Sequence, residues 1–85
     1  MGKYRIEIKK TAQKELESIP IKDLQRIVFK IQSLAENPRP IGCVKLSGQE
    51  RYRIRQGNYR ILYSIQDDLL LIYVVKIGHR KDVYN

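Results

Sequence analysis

QERYRIRQGNYRILY, Gln49 to Tyr63, is the stretch on which the fold turns. It gathers Arg51, Arg53, Arg55 and Arg60 around a short run of turn residues, with Tyr and Ile between them. Side chains of extended backbone alternate between two faces, so Tyr52 and Ile54 fall on one side and Arg51, Arg53 and Arg55 on the other. Gln56-Gly57-Asn58 supplies the turn, because Gly and Asn tolerate the positive φ that short hairpin loops require. Beyond it, Tyr59, Ile61, Tyr63 and Ile65 share one row, and Arg60, Leu62 and Ser64 the other. The pattern predicts a β-hairpin with an apolar face on a core and a guanidinium face turned outward. Guanidinium forks grip phosphate oxygens in a bidentate way. From the hairpin alone, a solvated sheet face with ordinary surface arginines stays open as the alternative.

Upstream, Lys3 to Ile8 alternates, with Tyr4, Ile6 and Ile8 on one side and Arg5 and Glu7 on the other, as in a short half-buried strand. Thr11 can cap a helix in which Ala12, Leu16 and Ile19 recur at helical spacing until Pro20. From Ile21 onward, Leu24, Ile27, Val28, Ile31, Leu34 and Ala35 form one apolar stripe, with Lys22, Gln25, Arg26, Lys30 and Gln32 largely off it. Asn37-Pro38 is the stop signal of this second helix. Two helices joined through a Pro-containing turn make a helical hairpin. Asn37 to Gly42 reads as a loop, and Val44 and Leu46 begin or flank a strand. Downstream, Asp67-Asp68 makes a turn, and Leu69 to Ile77, LLLIYVVKI, is apolar on both faces, as in a central strand covered on two sides. Gly78 is expected to break that strand. The order β-α-α-β-β-β defines an α+β fold in one domain, residues 1–85. The helical hairpin packs on one face of a mainly antiparallel twisted sheet, and the arginines occupy the other.

Seventeen basic residues against nine acidic ones give a formal charge of +8, which favours a polyanionic partner such as nucleic acid or an acidic protein. No run approaches the ~18 apolar residues of a membrane-spanning helix. The opening MGKYRIEIKK holds no apolar signal region, and no basic segment has a matching exposed apolar face, so a membrane partner is not expected. Lone Cys43 cannot form an internal disulfide, in keeping with a reducing, cytoplasmic compartment. With one Cys and one His there is no zinc-ligand pattern, and neither a metal nor another cofactor is expected.

The tail GHRKDVY sets His79, Arg80, Lys81 and Tyr84 just after the central strand. If that strand lies beside the hairpin, its end can bring these groups near Arg53, Arg55 and Arg60. Taken singly, each has a plainer reading: His79 as a surface histidine, Tyr84 as packing near a terminus, Lys81 and Asp82 as a solvated pair. Tyr63 and Tyr73 read as core, and Cys43 as a small buried residue. The reaction that suits such a set is RNA cleavage by attack of the 2′-OH on the adjacent phosphorus. Arginines can offset charge that grows on the phosphorane oxygens. They cannot serve as general bases, because their pKa stays above about 12. Proton transfer falls to His79 or Tyr84. Machinery strong in electrostatics and weak in acid–base groups gains most from a substrate held in line by something else.

Lys45-Leu46-Ser47-Gly48, Tyr52-Arg53-Ile54-Arg55, Gly57-Asn58-Tyr59-Arg60-Ile61-Leu62-Tyr63 and Gly78-His79-Arg80-Lys81-Asp82-Val83-Tyr84, as an ordered set, resemble the RelE/ParE superfamily of toxins from type II toxin–antitoxin systems. The likeness spans nearly the whole chain and is closest to the RelE branch. It implies a RelE-like fold and a metal-independent endoribonuclease, an mRNA interferase that enters the ribosomal A site, cleaves mRNA and is silenced by a cognate antitoxin. By the same resemblance, Arg53 and Arg55 contact mRNA and support proton transfer, and Arg60 stabilises the scissile phosphate. Arg80 matches the basic residue of the tail, and Tyr84 the tyrosine that positions or stacks on the substrate. His79 stands where a lysine is common and is counted with the catalytic set, while Lys45, Arg51 and Lys81 are expected to contact RNA. One residue follows Tyr84, so the C-terminal helix of some relatives is not expected. A ParE-like inhibitor of DNA gyrase that cuts no RNA, and a basic binding module without catalysis, are the other readings.

Overall fold

A computed structural model describes residues 3–48 and 50–79 of the chain. Strand β1 (Arg5–Ile8) leads into helix α1 (Lys10–Glu17) and helix α2 (Ile21–Ser33). A short strand β2 (Val44–Lys45) precedes the hairpin of β3 (Tyr52–Gln56) and β4 (Tyr59–Gln66). One turn of 3₁₀ helix at Asp67–Leu69 then connects to β5 (Leu71–His79). The strands form one sheet in the order β1-β5-β4-β3-β2, with β1 parallel to β5 and the other neighbours antiparallel. The expected α+β architecture is therefore present, with one short strand added at the edge.

Local chemistry explains the helix ends, and not always as the sequence suggested. Thr11 lies inside the first turn of α1 and does not cap it; Lys9 is the N-cap residue, with no side-chain cap bond. The Gln13 side-chain amide instead donates to the Ile8 carbonyl at 2.9 Å. Pro20 is the N-cap of α2, where its missing N–H is no loss, and its carbonyl accepts the Leu24 N–H at 2.8 Å. The α2 helix stops at Ser33, ahead of Asn37-Pro38. Leu34 and Ala35 close the last turn with bonds to the carbonyls three residues back, Ile31 and Gln32.

The helices bury Ala12, Ile19, Ile27, Ile31 and Leu34 against Ile54, Ile61, Tyr63, Ile72, Val74 and Ile77 of the sheet. Ile61 is fully buried, and its truncation to Ala should cost about 2–5 kcal/mol. The Tyr63 hydroxyl, buried in the same core, donates to the Pro38 carbonyl at 2.7 Å, and burial pushes its pKa well above the usual phenol value. Tyr73, in contrast, is only half-buried.

A β-bulge in β5 reorganises the strand that sequence alone describes as apolar on both faces. Leu62 pairs with Lys76 but Tyr63 pairs with Val74, so Val75 is an extra residue. Ile72, Val74 and Ile77 can then all face the core, although strict alternation would turn Ile77 away. The opposite side of β5, with Leu71, Tyr73 and Val75, is only half-buried, so the strand is covered fully on one face. Gly78 does not break it either, for the ladder continues to His79 opposite Tyr59.

Gly57 turns the hairpin with φ +61°, while Asn58 keeps a negative φ, the pattern of a II′ turn. At the other end of β4, Leu70 takes the left-handed conformation (φ 50°), uncommon for a residue with a side chain. A polar clasp closes over this end. Arg39 Nη2 lies 2.9 Å from Asp67 Oδ2, and the Tyr4 hydroxyl donates to Asp67 Oδ1 at 2.7 Å. Arg39 Nε donates to the Tyr52 hydroxyl at 3.2 Å, with the guanidinium 5.3 Å from the ring centre. Tyr52 stacks in turn on Tyr63, ring centres 5.9 Å apart. Arg39 first, and then Tyr4, hold the Asp67 carboxyl below the usual carboxylate range.

Candidate functional site

Register across β3, β4 and β5 sorts the side chains into rows. Tyr52, Tyr63 and Val74 stand in line, as do Ile54, Ile61 and Ile77, and Gln56, Tyr59 and His79; these rows face the helices. Between them, Arg53 lines up with Leu62 and Lys76, and Arg55 with Arg60 and Gly78, facing away. The outward face is not bare. Leu46, from the segment after β2, meets Leu62 and the bulge residue Val75 in a small apolar island.

Arg53 sits at the border of that island and is only 8% exposed. Burial lowers its pKa, and the nearby charges of Arg55 and Arg60 lower it further. Arg55 is exposed, because β2 pairs only with Tyr52 and Arg53 and stops short of it. Arg60 is half-buried, and Gly78, its partner in β5, adds no side chain beside it. At the turn, Arg55, Gly57, Tyr59 and Arg60 line a hollow of about 200 Å³. Such an arrangement can grip a phosphodiester from several directions. A cation beside apolar groups acts on a bound anion through a lower effective dielectric than water offers.

The remaining candidates divide. Arg51 is exposed and borders a hollow with Lys9, Glu15, Leu62, Val75 and Lys76, which extends the basic face past the apolar island. Lys76 is a basic residue that sequence reasoning missed. Its signal was its phase: alternation from Ile72 and Val74 puts a lysine in the core, a conflict that the bulge relieves. Lys45 is in register with Tyr52 and not with Arg53, and its ammonium lies 3.3 Å from Glu50. The end of β5 does reach the hairpin, but His79 belongs to the helix-side row, its ring edge-on to Tyr59 with centres 5.6 Å apart. The bulge sets that direction. Arg80, Lys81 and Tyr84 lie outside the described residues. Among the described residues, no three His, Cys, Asp or Glu side chains come together to hold a metal ion. No described helix is long and apolar enough to cross a membrane.

Comparison with known proteins agrees with this architecture. The family model for the ParE toxin of type II toxin–antitoxin system parDE matches residues 6–84, and the chain belongs to this RelE/ParE superfamily of toxins. Its relatives mark out the RelE branch. Toxin RelG of Mycobacterium tuberculosis is 29% identical over 95% of each chain. In the archaeal RelE–RelB complex from Pyrococcus horikoshii OT3, a chain superposes with a TM-score of 0.84 at 30% identity, covering 95% of this chain and 99% of that one. For the RelBE2 toxin–antitoxin complex of Mycobacterium tuberculosis the TM-score is 0.82 at 27% identity, covering 96% and 97%.

Proposed function

We propose that this toxin is a ribosome-dependent endoribonuclease that cleaves mRNA in the A site, by attack of the RNA 2′-OH on the adjacent phosphate and without a metal. The observation that carries the reading is the Arg53, Arg55 and Arg60 cluster, which the register of the hairpin sets on one face, with Arg55 directly opposite Arg60 and both lining the hollow at the turn. Like charges held together on a half-dry face disfavour the free state, and a phosphodiester reverses the sign of that interaction. Arg60 stabilises charge on the phosphorane oxygens, while Arg53 and Arg55 grip the mRNA and support proton transfer. Arg80 and Tyr84 keep the parts their motif gives them, a tail cation and a ring that positions the substrate. Arg51, Lys45 and Lys81 make outlying RNA contacts, and His79 has a lesser part. The ribosome holds the RNA in line, which supplies the orientation that the protein's few acid–base groups cannot.

Relatives seen in complex with RelB support a cognate antitoxin as the protein partner. An acidic, amphipathic segment that masks the arginine face would meet the charge of +8, and long-range attraction would speed the encounter. The test of the whole reading is purified toxin added to ribosomes stalled on a defined mRNA, with mapping of RNA ends. Wild type should cut within the translated frame and Arg60→Ala should not. A ParE-like gyrase inhibitor is the second reading, favoured by the name of the matching family model. Intact mRNA together with altered plasmid supercoiling would establish it instead.

A further inference from the structure

Strand β5 changes neighbours halfway along. Leu71 to Val74 pair with β1, and the Lys9 N–H reaches the Val74 carbonyl at 2.8 Å as the chain turns away into α1. Beyond that point β1 offers no further rung, and the bulge at Val75 interrupts the ladder to β4 on the other side. The stretch beyond, Lys76 to His79, stays paired with β4, Gly78 opposite Arg60, but has an open edge on the β1 side, and it runs directly into Arg80 in sequence. A strand end paired along one edge only is held less firmly than one paired on both. Glu15 of α1 occupies the open edge. Its Oε1 accepts the Ile77 backbone N–H at 2.9 Å, and its Oε2 accepts a bond from the Lys76 ammonium, also at 2.9 Å. Its side chain is 30% exposed, so the bonds are shielded in part from water. A carboxylate accepting a backbone N–H makes one of the stronger hydrogen bonds available to a protein.

We propose that Glu15 is a positioning residue of this toxin, a side-chain substitute for the missing strand that fixes the end of β5 beside Arg60. The proposal rests on the endoribonuclease reading of the arginine face. Glu15 touches no substrate; it acts through the Ile77 amide, and so through the place where the tail begins. Loss of the acceptor should displace groups whose alignment with the phosphate sets the rate, while ribosome binding, which depends on the cationic side chains, should not weaken.

The experiment compares wild type, Glu15→Ala, Glu15→Gln and Ile31→Val, the last a core change on α2 that serves as a stability control. Single-turnover cleavage of mRNA is measured across a titration of programmed ribosomes, with amide hydrogen exchange at Ile77 followed in the free protein. Glu15→Ala should lower the maximal rate about tenfold, leave the half-saturating ribosome concentration within about twofold, and speed exchange at Ile77. Glu15→Gln, whose amide oxygen still accepts the N–H, should keep the rate within about threefold of wild type. Ile31→Val should cleave like wild type despite a lowered Tm. Wild-type rates from a folded Glu15→Ala variant would overturn the positioning role alone, as would an equal loss in Ile31→Val. Should Glu15→Ala not fold, a tenfold loss in folded Glu15→Gln would overturn the assignment of the role to the acceptor bond. A wild-type protein that leaves mRNA intact on these ribosomes would overturn the endoribonuclease reading itself, and this role with it.

Discussion

Arg39 and Arg53 lie on opposite faces at β3 and differ in almost every physical respect. Arg39 stacks on Tyr52, largely exposed, with its guanidinium against the Asp67 carboxylate, which raises its pKa. Arg53, the residue after Tyr52, is buried on the other side of the sheet, where burial and two neighbouring cations lower its pKa. The first cation has its counter-charge within the fold and serves to tie the Pro38 loop and β1 to the hairpin. The second shares its face of the sheet with two further arginines, Arg55 and Arg60. The two differ in company: a carboxylate and two tyrosines gather at one arginine, and like charges gather at the other.

Mutations can break that contrast. The largest effect should come from Arg60→Ala, which removes a charge needed only as the phosphorane forms, and cleavage should fall about 10²–10³-fold with the circular dichroism spectrum unchanged. A folded Arg60→Ala variant that arrests growth as wild type does would deny the cluster its role. Next come the two arginines themselves. Arg53→Met should lower cleavage about tenfold or more and lower Tm by less than Arg39→Met does, since it relieves repulsion from Arg55 and Arg60. Arg39→Met should do the reverse, with cleavage within about threefold and Tm reduced by roughly 3–6 °C, the scale of one partly exposed ion pair plus a cation–π contact. Equal effects of the two changes on both readouts would dissolve the distinction.

Smaller effects sharpen the comparison. Ribosome affinity should weaken as salt is added, and Arg53→Met should make the log–log slope shallower by about one unit, as loss of one phosphate contact does. Asp67 tests the other arginine. Its folded-state pKa is depressed, so its contribution to stability is present above the unfolded value of about 3.9 and is lost as pH falls through the folded value. Wild type should therefore be more stable than Asp67→Asn near neutral pH, the two Tm curves converging in acid below about pH 4. A gap that persists in acid would mean that the clasp does not depend on that charge. His79→Gln should have the least effect, a partial loss of cleavage, because the ring packs on Tyr59 away from the arginine rows.

Much of this was legible from periodicity. Alternation around Gly57 gave the hairpin and its two faces, and the apolar stripes gave both helices and their place on the sheet. Three features were not legible, each for a physical reason. The burial of Arg53 depends on its flanking strands, with Val44 of β2 on one side and Leu62 of β4 on the other, which no local window joins. The bulge adds one residue to β5 and reverses the faces of everything after it, which puts His79 in the row of Tyr59. Arg39 lies in a loop read only for its prolines and glycine, and the partners that fix it come from distant parts of the chain.

One property of the sheet bears on the life of the protein before it is finished. The strand between β1 and β4 is β5, the last of the described strands to be made. Tyr4 must find Asp67 across 63 residues, and Glu15 must find Ile77 across 62. Contacts of such long separation form late and slowly. While Leu71 to His79 are still inside the exit tunnel of the ribosome that makes them, β1 has no strand to join and Arg60 has no neighbour beyond its own hairpin. Closure of the sheet thus waits on β5, and Arg60 gains Gly78 as its neighbour only once that strand has emerged.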